Sequence, residues 1–291
     1  MARHNLIWFI CGLLAVVDVV LWQRVAAGRD LRPGYYFLDV GQGDSELVVM
    51  PNGAMILIDG GPDARVVPEL EKIMPAGDRY LDVIINSHPQ RDHFAGLTAV
   101  IQSYGGGAFL WNGRDDSPDV GEWRQLRADA AAAGIPMIPL GRGDMIRVGS
   151  GTIDVVSPDG LLAQSAELND TGLVMRAAMP GAATLFTADI DARIESYLVR
   201  RDASALRADF LKIAHHGSRY SSGGDFLRAV GPRAAVIEVG ARNTYGHPSR
   251  EALQRIASST DARVFRTDRD GTVFAGAEYG GLTVAIWGSG P

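Results

Sequence analysis

The sequence predicts an α+β fold in which two mixed β-sheets face each other with helices outside, preceded by one hydrophobic N-terminal helix. Three observations predict it. Short apolar runs of strand length recur along the chain, separated by turns that contain glycine, proline and asparagine. In each half a group of strands comes first and helical patterns intervene, an order that builds layered sheets with helices outside. Histidines and acidic residues gather just past the ends of several runs, where a rigid scaffold presents function.

Taken in order, Leu6 through Trp22 is apolar apart from Asp18, with Arg3 before it and Arg24, Arg29 and Arg32 after it. At about 17 residues it is at the short end of what crosses a bilayer, and Asp18 lies toward its end, where a charge costs less. It is expected to be an uncleaved single-pass anchor that leaves the rest of the chain extracytoplasmic. A signal peptide cut after Val25-Ala26-Ala27 and a buried helix are the alternatives. On this reading residues 1–30 are anchor and linker, and residues 31–291 form one domain.

From Tyr35 the chain has no linker, repeat or low-complexity tract. Tyr36–Val40, Glu46–Met50 and Ala54–Asp59 read as strands, separated by Gly41-Gln42-Gly43-Asp44 and the turn Pro51-Asn52-Gly53. Val66–Met74 reads as a helix, Val83–Asn86 as a buried strand, and His93–Tyr104 as a helix. Phe109–Trp111 is a short strand, and Glu122–Ala133 is a helix closed by Gly134. Strands follow at Met145–Val148, Thr152–Val156, Leu173–Met179 and Thr184–Thr187. A helix near Ala192–Arg200, a strand at Phe210–Ile213, a helix around Asp225–Val230 and a strand at Ala234–Glu238 continue the pattern. Helix Arg250–Ser258 and strands at Arg263–Phe265, Val273–Ala275 and Leu282–Ile286 complete it.

At 291 residues, 46% hydrophobic and 21% charged, this is an ordered globular chain able to bury a large core. Its net charge of −6 provides no overall basic field of the kind that marks nucleic-acid-binding proteins. Lysine occurs only at Lys72 and Lys212, so arginine carries the positive charge. The lone cysteine, Cys11, excludes an intrachain disulfide and a cysteine metal cluster. Any metal is left to histidine, aspartate, glutamate or asparagine.

The run Ser87-His88-Pro89-Gln90-Arg91-Asp92-His93 directly follows the strand at Val83–Asn86. Two imidazoles and a carboxylate on one strand-to-helix turn make a ligand set for Zn²⁺ and its neighbours. The bland alternative, a loop residue at His88 and a helix cap at His93, is less favourable with three ligand types so close together. Asp189, just beyond Thr184–Thr187, adds either a further carboxylate or an N-cap for the next helix. His215-His216-Gly217-Ser218 brings more imidazole past Phe210–Ile213, and Asn243-Thr244-Tyr245-Gly246-His247-Pro248 brings His247. Asp59-Gly60-Gly61 ends the third strand with a carboxylate that either joins this rim or only holds its turn.

Together with Leu38-Asp39-Val40-Gly41-Gln42-Gly43-Asp44-Ser45, these runs resemble, in order, the metallo-β-lactamase superfamily. More narrowly, the stretch from about Tyr35 to Trp287 is similar to the hydrolase domain at the C-terminus of ComEC-type competence DNA-uptake proteins. The resemblance implies a four-layer αββα sandwich and a metal-dependent hydrolase, here a membrane-anchored phosphodiesterase or nuclease. A small-substrate phosphoesterase of the envelope and a non-catalytic binding module are the alternatives. The superfamily's His-x-His-x-Asp-His motif falls on His88 to His93 with Gln90 in place of its second histidine, and a further histidine would fall near Asn169. The resemblance therefore implies one firm divalent metal, Zn or Mn, on Asp92, His93, Asp189 and one of the pair His215 and His216, taken as His216. His88 is left to a weak, substrate-assisted second ion, to which amide oxygen is a poor ligand if it is Zn²⁺. Asp92, His215 and His247 are the expected catalytic groups, and Ser218, Asn243 and Tyr245 the expected phosphate cradle, with Arg91, Arg219 and Arg242 lining it. The expected partners are DNA or another phosphodiester, the membrane through the N-terminal helix, and a separate channel protein if the chain acts in DNA uptake.

Overall fold

The four residues of strand Gly34–Phe37 are all buried, and successive side chains point to opposite faces of a strand. Tyr35 and Phe37 enter one apolar core and Tyr36 enters another. A strand covered on both faces needs no polar alternation, and this is why the chain's strands read as continuous apolar runs.

The computed structural model describes residues 12, 14–19, 31–278 and 280–288. Among these, two large sheets face each other. The first has eight strands in the spatial order Gly281–Ile286, Val273–Glu278, Gly34–Phe37, Glu46–Val49, Met55–Ile58, Val83–Asn86, Phe109–Trp111 and Met137–Pro139. It is antiparallel as far as Met55–Ile58 and parallel beyond. The second has seven, in the order Arg263–Arg266, Ala234–Ile237, Phe210–Lys212, Ala182–Phe186, Val174–Met179, Gly151–Ser157 and Met145–Val148. It runs parallel through Ala182–Phe186 and antiparallel after it.

Three cores separate four layers. Phe37, Ile58, Ile85, Met175, Phe186 and Phe210 pack between the sheets. Leu70, Phe94, Leu97, Trp123 and Leu126 join the first sheet to helices Val66–Ile73, Arg91–Ser103 and Val120–Ala132. Ile194, Leu198, Phe226 and Ile256 join the second sheet to helices Ala192–Asp202, Gly224–Val230 and Arg250–Ser259. The αββα sandwich is the architecture that the sequence predicts.

Three local differences bear on function. The helix expected from His93 begins at Arg91, which puts Asp92 and His93 in its first turn and Gln90 at its N-cap. That helix also lies unusually close to the Asp59-Gly60-Gly61 turn: a Cβ on Gly96 would sit 1.9 Å from the Gly60 carbonyl oxygen. The strand Met137–Pro139, which periodicity did not mark, is a partly exposed edge strand that tolerates Pro139.

The membrane anchor expected at Leu6–Trp22 requires correction. Most of that stretch lies outside the described residues, and among the described residues no helix is long and apolar enough to cross a membrane. The extracytoplasmic placement rested on the anchor and falls with it.

Candidate metal centre

Four strand ends converge on one rim of the sandwich. Asp59 follows Met55–Ile58, Asp92 and His93 follow Val83–Asn86, Asp189 follows Ala182–Phe186, and His216 follows Phe210–Lys212. One ligand-type atom from each of Asp92, His93, Asp189 and His216 lies within 4.8 Å of the others, as donors around a single ion would. Asp189 Oδ2 is 3.4 Å from His93 Nε2 and 3.5 Å from His216 Nε2, and His216 Nε2 is 3.5 Å from Asp92 Oδ2. His93, Asp189 and His216 are buried, whereas Asp92 is one-third exposed to a cleft of about 490 Å³.

Each imidazole is held through its other nitrogen. His93 Nδ1 donates to Asp59 Oδ2 at 2.8 Å, and His216 Nδ1 donates to the Glu238 carbonyl at 2.9 Å. His88 Nδ1 lies 3.0 Å from Ser87 Oγ, and its ring is 4.1 Å from that of His93. All three Nε2 atoms are buried without a hydrogen-bond partner. Buried nitrogens of this kind are costly to leave unpaired, and a lone pair held by a hydrogen bond on the opposite nitrogen is what a divalent cation takes from histidine.

Asp59 sits at φ 53°, in the left-handed region, and accepts from the Ser87 amide at 2.7 Å, Ser87 Oγ at 2.5 Å, Asn86 Nδ2 at 3.0 Å and His93. It therefore does more than hold its turn: it orients His93.

Behind this cluster lies a second, fully buried group. Lys212 Nζ pairs with Asp44, donates to the Ala188 carbonyl at 3.0 Å and lies 3.7 Å from Asp189 Oδ1. Burial pushes Asp44 up, but the Lys212 ammonium and the neighbouring imidazoles outweigh it and hold the carboxyl below its ordinary value. Burial likewise opposes the charge on Asp189, and His216 and His93 overcome it, holding this group well below the carboxylate range. For His93 and His216 burial favours the neutral ring, yet the surrounding carboxylates, Asp189 foremost, raise both well above the usual imidazole value. Glu238 is pushed up to about 8 by burial and by Asp44, and Glu46 beside it is also raised.

The remaining expected residues divide. His215 and His247 line the cleft, their rings 5.8 Å apart, with Tyr245 stacked on His247 at 5.9 Å. His247 is pushed down to about 4 by burial and then by neighbouring imidazoles. Of the paired histidines, the buried His216 belongs to the cluster and the partly exposed His215 to the cleft. Ser218 and Asn243 are not presented to the cleft. Ser218 is buried and its hydroxyl accepts from the Tyr220 amide, while Asn243 donates to the Gly240 and His247 carbonyls and accepts from the His247 amide. Both polar groups hold their own loops, and neither lines the cleft. Gln90 and Asn169, the two departures from the superfamily motif, meet each other: Gln90 Nε2 donates to Asn169 Oδ1 at 2.5 Å.

Sequence reasoning missed Asp44, Glu46, Lys212 and Glu238. The available signal was a lysine inside the apolar run Phe210–Ile213, in a chain with only one other lysine.

A sequence profile described as the metallo-β-lactamase superfamily matches residues 38–240. The chain is 28% identical over 259 residues to ComE operon protein 3 of Bacillus subtilis (strain 168), covering 81% of this chain and 32% of that protein. It is 30% identical over 246 residues to competence protein ComA of Neisseria gonorrhoeae, covering 84% and 32%. It thus spans about a third of the length of these relatives. The fold matches that of the metallo-β-lactamase fold protein YhfI from Bacillus subtilis with a TM-score of 0.53 at 14% identity, covering 80% of this chain and 96% of that one. The chain therefore belongs to the metallo-β-lactamase superfamily.

Proposed function

We propose that the chain is a metal-dependent phosphodiesterase holding one divalent ion, Zn²⁺ or Mn²⁺, on Asp92, His93, Asp189 and His216. The observation that carries this reading is the pair of unpartnered Nε2 atoms on His93 and His216 beside Asp189, with Asp189 and His216 lining an open cleft. Membership of a superfamily of metal-dependent hydrolases supports hydrolysis, and similarity to competence proteins supports a phosphodiester such as DNA over other esters, by analogy. When bound, the ion supplies a Lewis acid for a phosphoryl oxygen and brings the pKa of water toward neutrality. Asp92, at the cleft edge, would orient the attacking water, whose proton would pass to solvent in the open cleft. His247, held neutral by burial, suits hydrogen bonding to a phosphate oxygen, which leaves His215 to pass a proton to the departing oxygen.

The Gln90–Asn169 hydrogen bond supports one ion rather than two, because the amides at the other position satisfy each other and leave His88 alone there. The test is elemental analysis of the purified full chain, with turnover of bis(p-nitrophenyl) phosphate and of single-stranded DNA measured with and without added Mn²⁺ or Zn²⁺. Bound metal and metal-dependent turnover that both disappear in Asp189→Ala are expected. Metal retained by Asp189→Ala overturns the ligand assignment, and a metal-loaded chain inactive on both substrates overturns the phosphodiesterase.

A further inference from the structure

The four rim ligands come from two sheets. Asp92 and His93 follow a strand of the first, whereas Asp189 and His216 follow strands of the second. An ion shared by all four needs the two pairs held against each other to within about 0.5 Å, which is the task of hydrogen bonds behind the ligands. Apolar burial between the sheets is non-directional and does not supply this. The polar joint directly behind the rim is the pair Asp44 and Lys212, both fully buried. Beside it the Ser45 amide donates to Glu238 Oε1 at 3.1 Å, a second tie between the sheets that does not reach Asp189.

Asp44 is fixed to the first pair of ligands. Its amide donates to the Asp92 carbonyl at 3.2 Å, and its carbonyl accepts from the Gly61 amide at 2.8 Å. Its Oδ1 lies 3.2 Å from His216 Nδ1, so it also touches the second pair. Lys212 ends the strand Phe210–Lys212 and reaches sideways to the neighbouring strand end, where its ammonium donates to the Ala188 carbonyl at 3.0 Å. Ala188 directly precedes Asp189 and sits at φ 45°, in the left-handed region that strains any residue with a Cβ. Such a conformation persists only where the surroundings over-determine it. Here the Ala188 carbonyl accepts from two donors, Lys212 Nζ and the His215 amide at 3.1 Å. An apolar side chain at position 212 would leave that corner with the His215 amide alone. Replacing a buried ion pair by apolar groups is often neutral for stability or better, so the consequence of this pair belongs to the ion more than to the fold.

We infer that Lys212 is a positioning residue for the rim ion: by bridging Asp44 and the Ala188 carbonyl it holds Asp189 and His216 of the second sheet against Asp92 and His93 of the first. This rests on the reading that those four side chains hold one divalent ion. Charge and positioning act in opposite directions here. A positive charge 3.7 Å from Asp189 Oδ1 repels a divalent cation, so by charge alone Lys212 weakens metal binding. As a positioning residue it strengthens it.

Lys212→Met alone would leave the Asp44 charge buried and unpaired, so the pair is removed together as Asp44→Asn with Lys212→Met, which keeps the net charge. On the purified full chain, competition for Zn²⁺ against a chromophoric chelator gives the affinity. The visible absorption of the Co²⁺-loaded protein reports the ligand geometry, and urea unfolding without metal reports stability. Zn²⁺ affinity should fall by about 10–100-fold, the scale for loss of a group that orients ligands, the Co²⁺ spectrum should change, and the urea midpoint should stay close to that of the unaltered protein. Affinity within twofold of the unaltered protein or tighter, with an unchanged Co²⁺ spectrum, overturns the positioning role. A measurement on the unaltered protein stands even if the double variant does not fold. The chain has only two lysines, so ¹⁵N-lysine labelling gives two Nζ signals, and Lys72→Arg assigns them. The Lys212 signal should move with Zn²⁺ occupancy, and a signal indifferent to bound Zn²⁺ overturns the inference. The two failures are distinguishable: no Zn²⁺ binding by the unaltered protein removes the metal reading itself, whereas unchanged binding in the double variant removes only the role of Lys212.

Discussion

Asp59→Asn tests whether the carboxylate behind His93 sets the metal affinity. Asp59 Oδ1 accepts from the Ser87 amide and Asn86 Nδ2, while Oδ2 accepts from Ser87 Oγ and His93 Nδ1. Asparagine keeps the shape and tolerates the left-handed backbone at this position better than most residues. Its carbonyl oxygen can replace Oδ1, so its NH₂ must replace Oδ2. Ser87 can turn its hydroxyl to accept, but His93 Nδ1 can accept only by giving up its proton. The neutral ring then carries hydrogen on Nε2, and the lone pair facing Asp189 is lost. Loss of such an orienting partner lowers metal affinity by roughly 10–100-fold, about 1.4–2.7 kcal/mol. The assay is competition for Zn²⁺ against a chromophoric chelator, with urea unfolding of the metal-free variant run in parallel. The buried charged acceptor is also lost, so the metal-free stability should fall by about 1.5–3 kcal/mol. Affinity within twofold of the unaltered protein, in a variant that remains folded, would refute the argument that Asp59 fixes the tautomer.

Three further outcomes are expected. Joint replacement Gln90→His and Asn169→His removes the amide pair and should raise metal content from one ion to two per chain by elemental analysis; unchanged content would show that those amides do not set the number of ions. Gly96→Ala places a Cβ 1.9 Å from the Gly60 carbonyl and 2.5 Å from that of Asp63, so the urea midpoint should drop by the equivalent of about 3 kcal/mol, and an unmoved midpoint would mean the helix can retreat from the turn. Burial, with a small contribution from Asp191, pushes Glu195 up to about 7 from an ordinary 4.5, against two backbone amides and Arg255, which favour its charge. The folded state therefore binds this proton more tightly, so Glu195 makes the protein lose about 3 kcal/mol of stability as pH rises from 4.5 to 7. Glu195→Gln should flatten that part of the urea stability profile, and a slope equal to that of the unaltered protein would refute it.

Much of the site was legible because its chemistry sits at strand ends. Asp92, His93, Asp189 and His216 each follow an apolar run directly, so the pattern that places the strands also places the ligands. Polar groups inside those runs were not legible in the same way. Asp44 and Lys212 are 168 residues apart and mean nothing separately until strands from different sheets bring them together. Ser218 and Asn243 illustrate a second limit. Their residue types suit a phosphate as well as a turn, and only the local backbone decides that hydroxyl and amide face inward. The edge strand Met137–Pro139 escaped for a third reason: with one face poorly covered and a proline at its end, it lacks the apolar period that marks the central strands.

The carboxylates of the rim are not equivalent, and their differences indicate what the site is built to hold. Asp59 is satisfied by four donors and Asp44 by the permanent charge of Lys212. Asp189 has neither. Its Oδ1 is buried without a hydrogen bond, 3.7 Å from Lys212, and its Oδ2 faces imidazoles. A buried carboxylate left in that state needs positive charge from somewhere, and Asp189 with the neighbouring carboxylates raises His93 and His216 well above the usual imidazole value, which favours a proton on those rings when no ion is bound. A divalent ion would occupy the same space and answer the same charge, so ion and protons exchange for one another rather than add. Asp59 and the Glu238 carbonyl keep that exchange orderly: by retaining hydrogen on each Nδ1 they confine it to Nε2, and both rings stay oriented whichever partner is present.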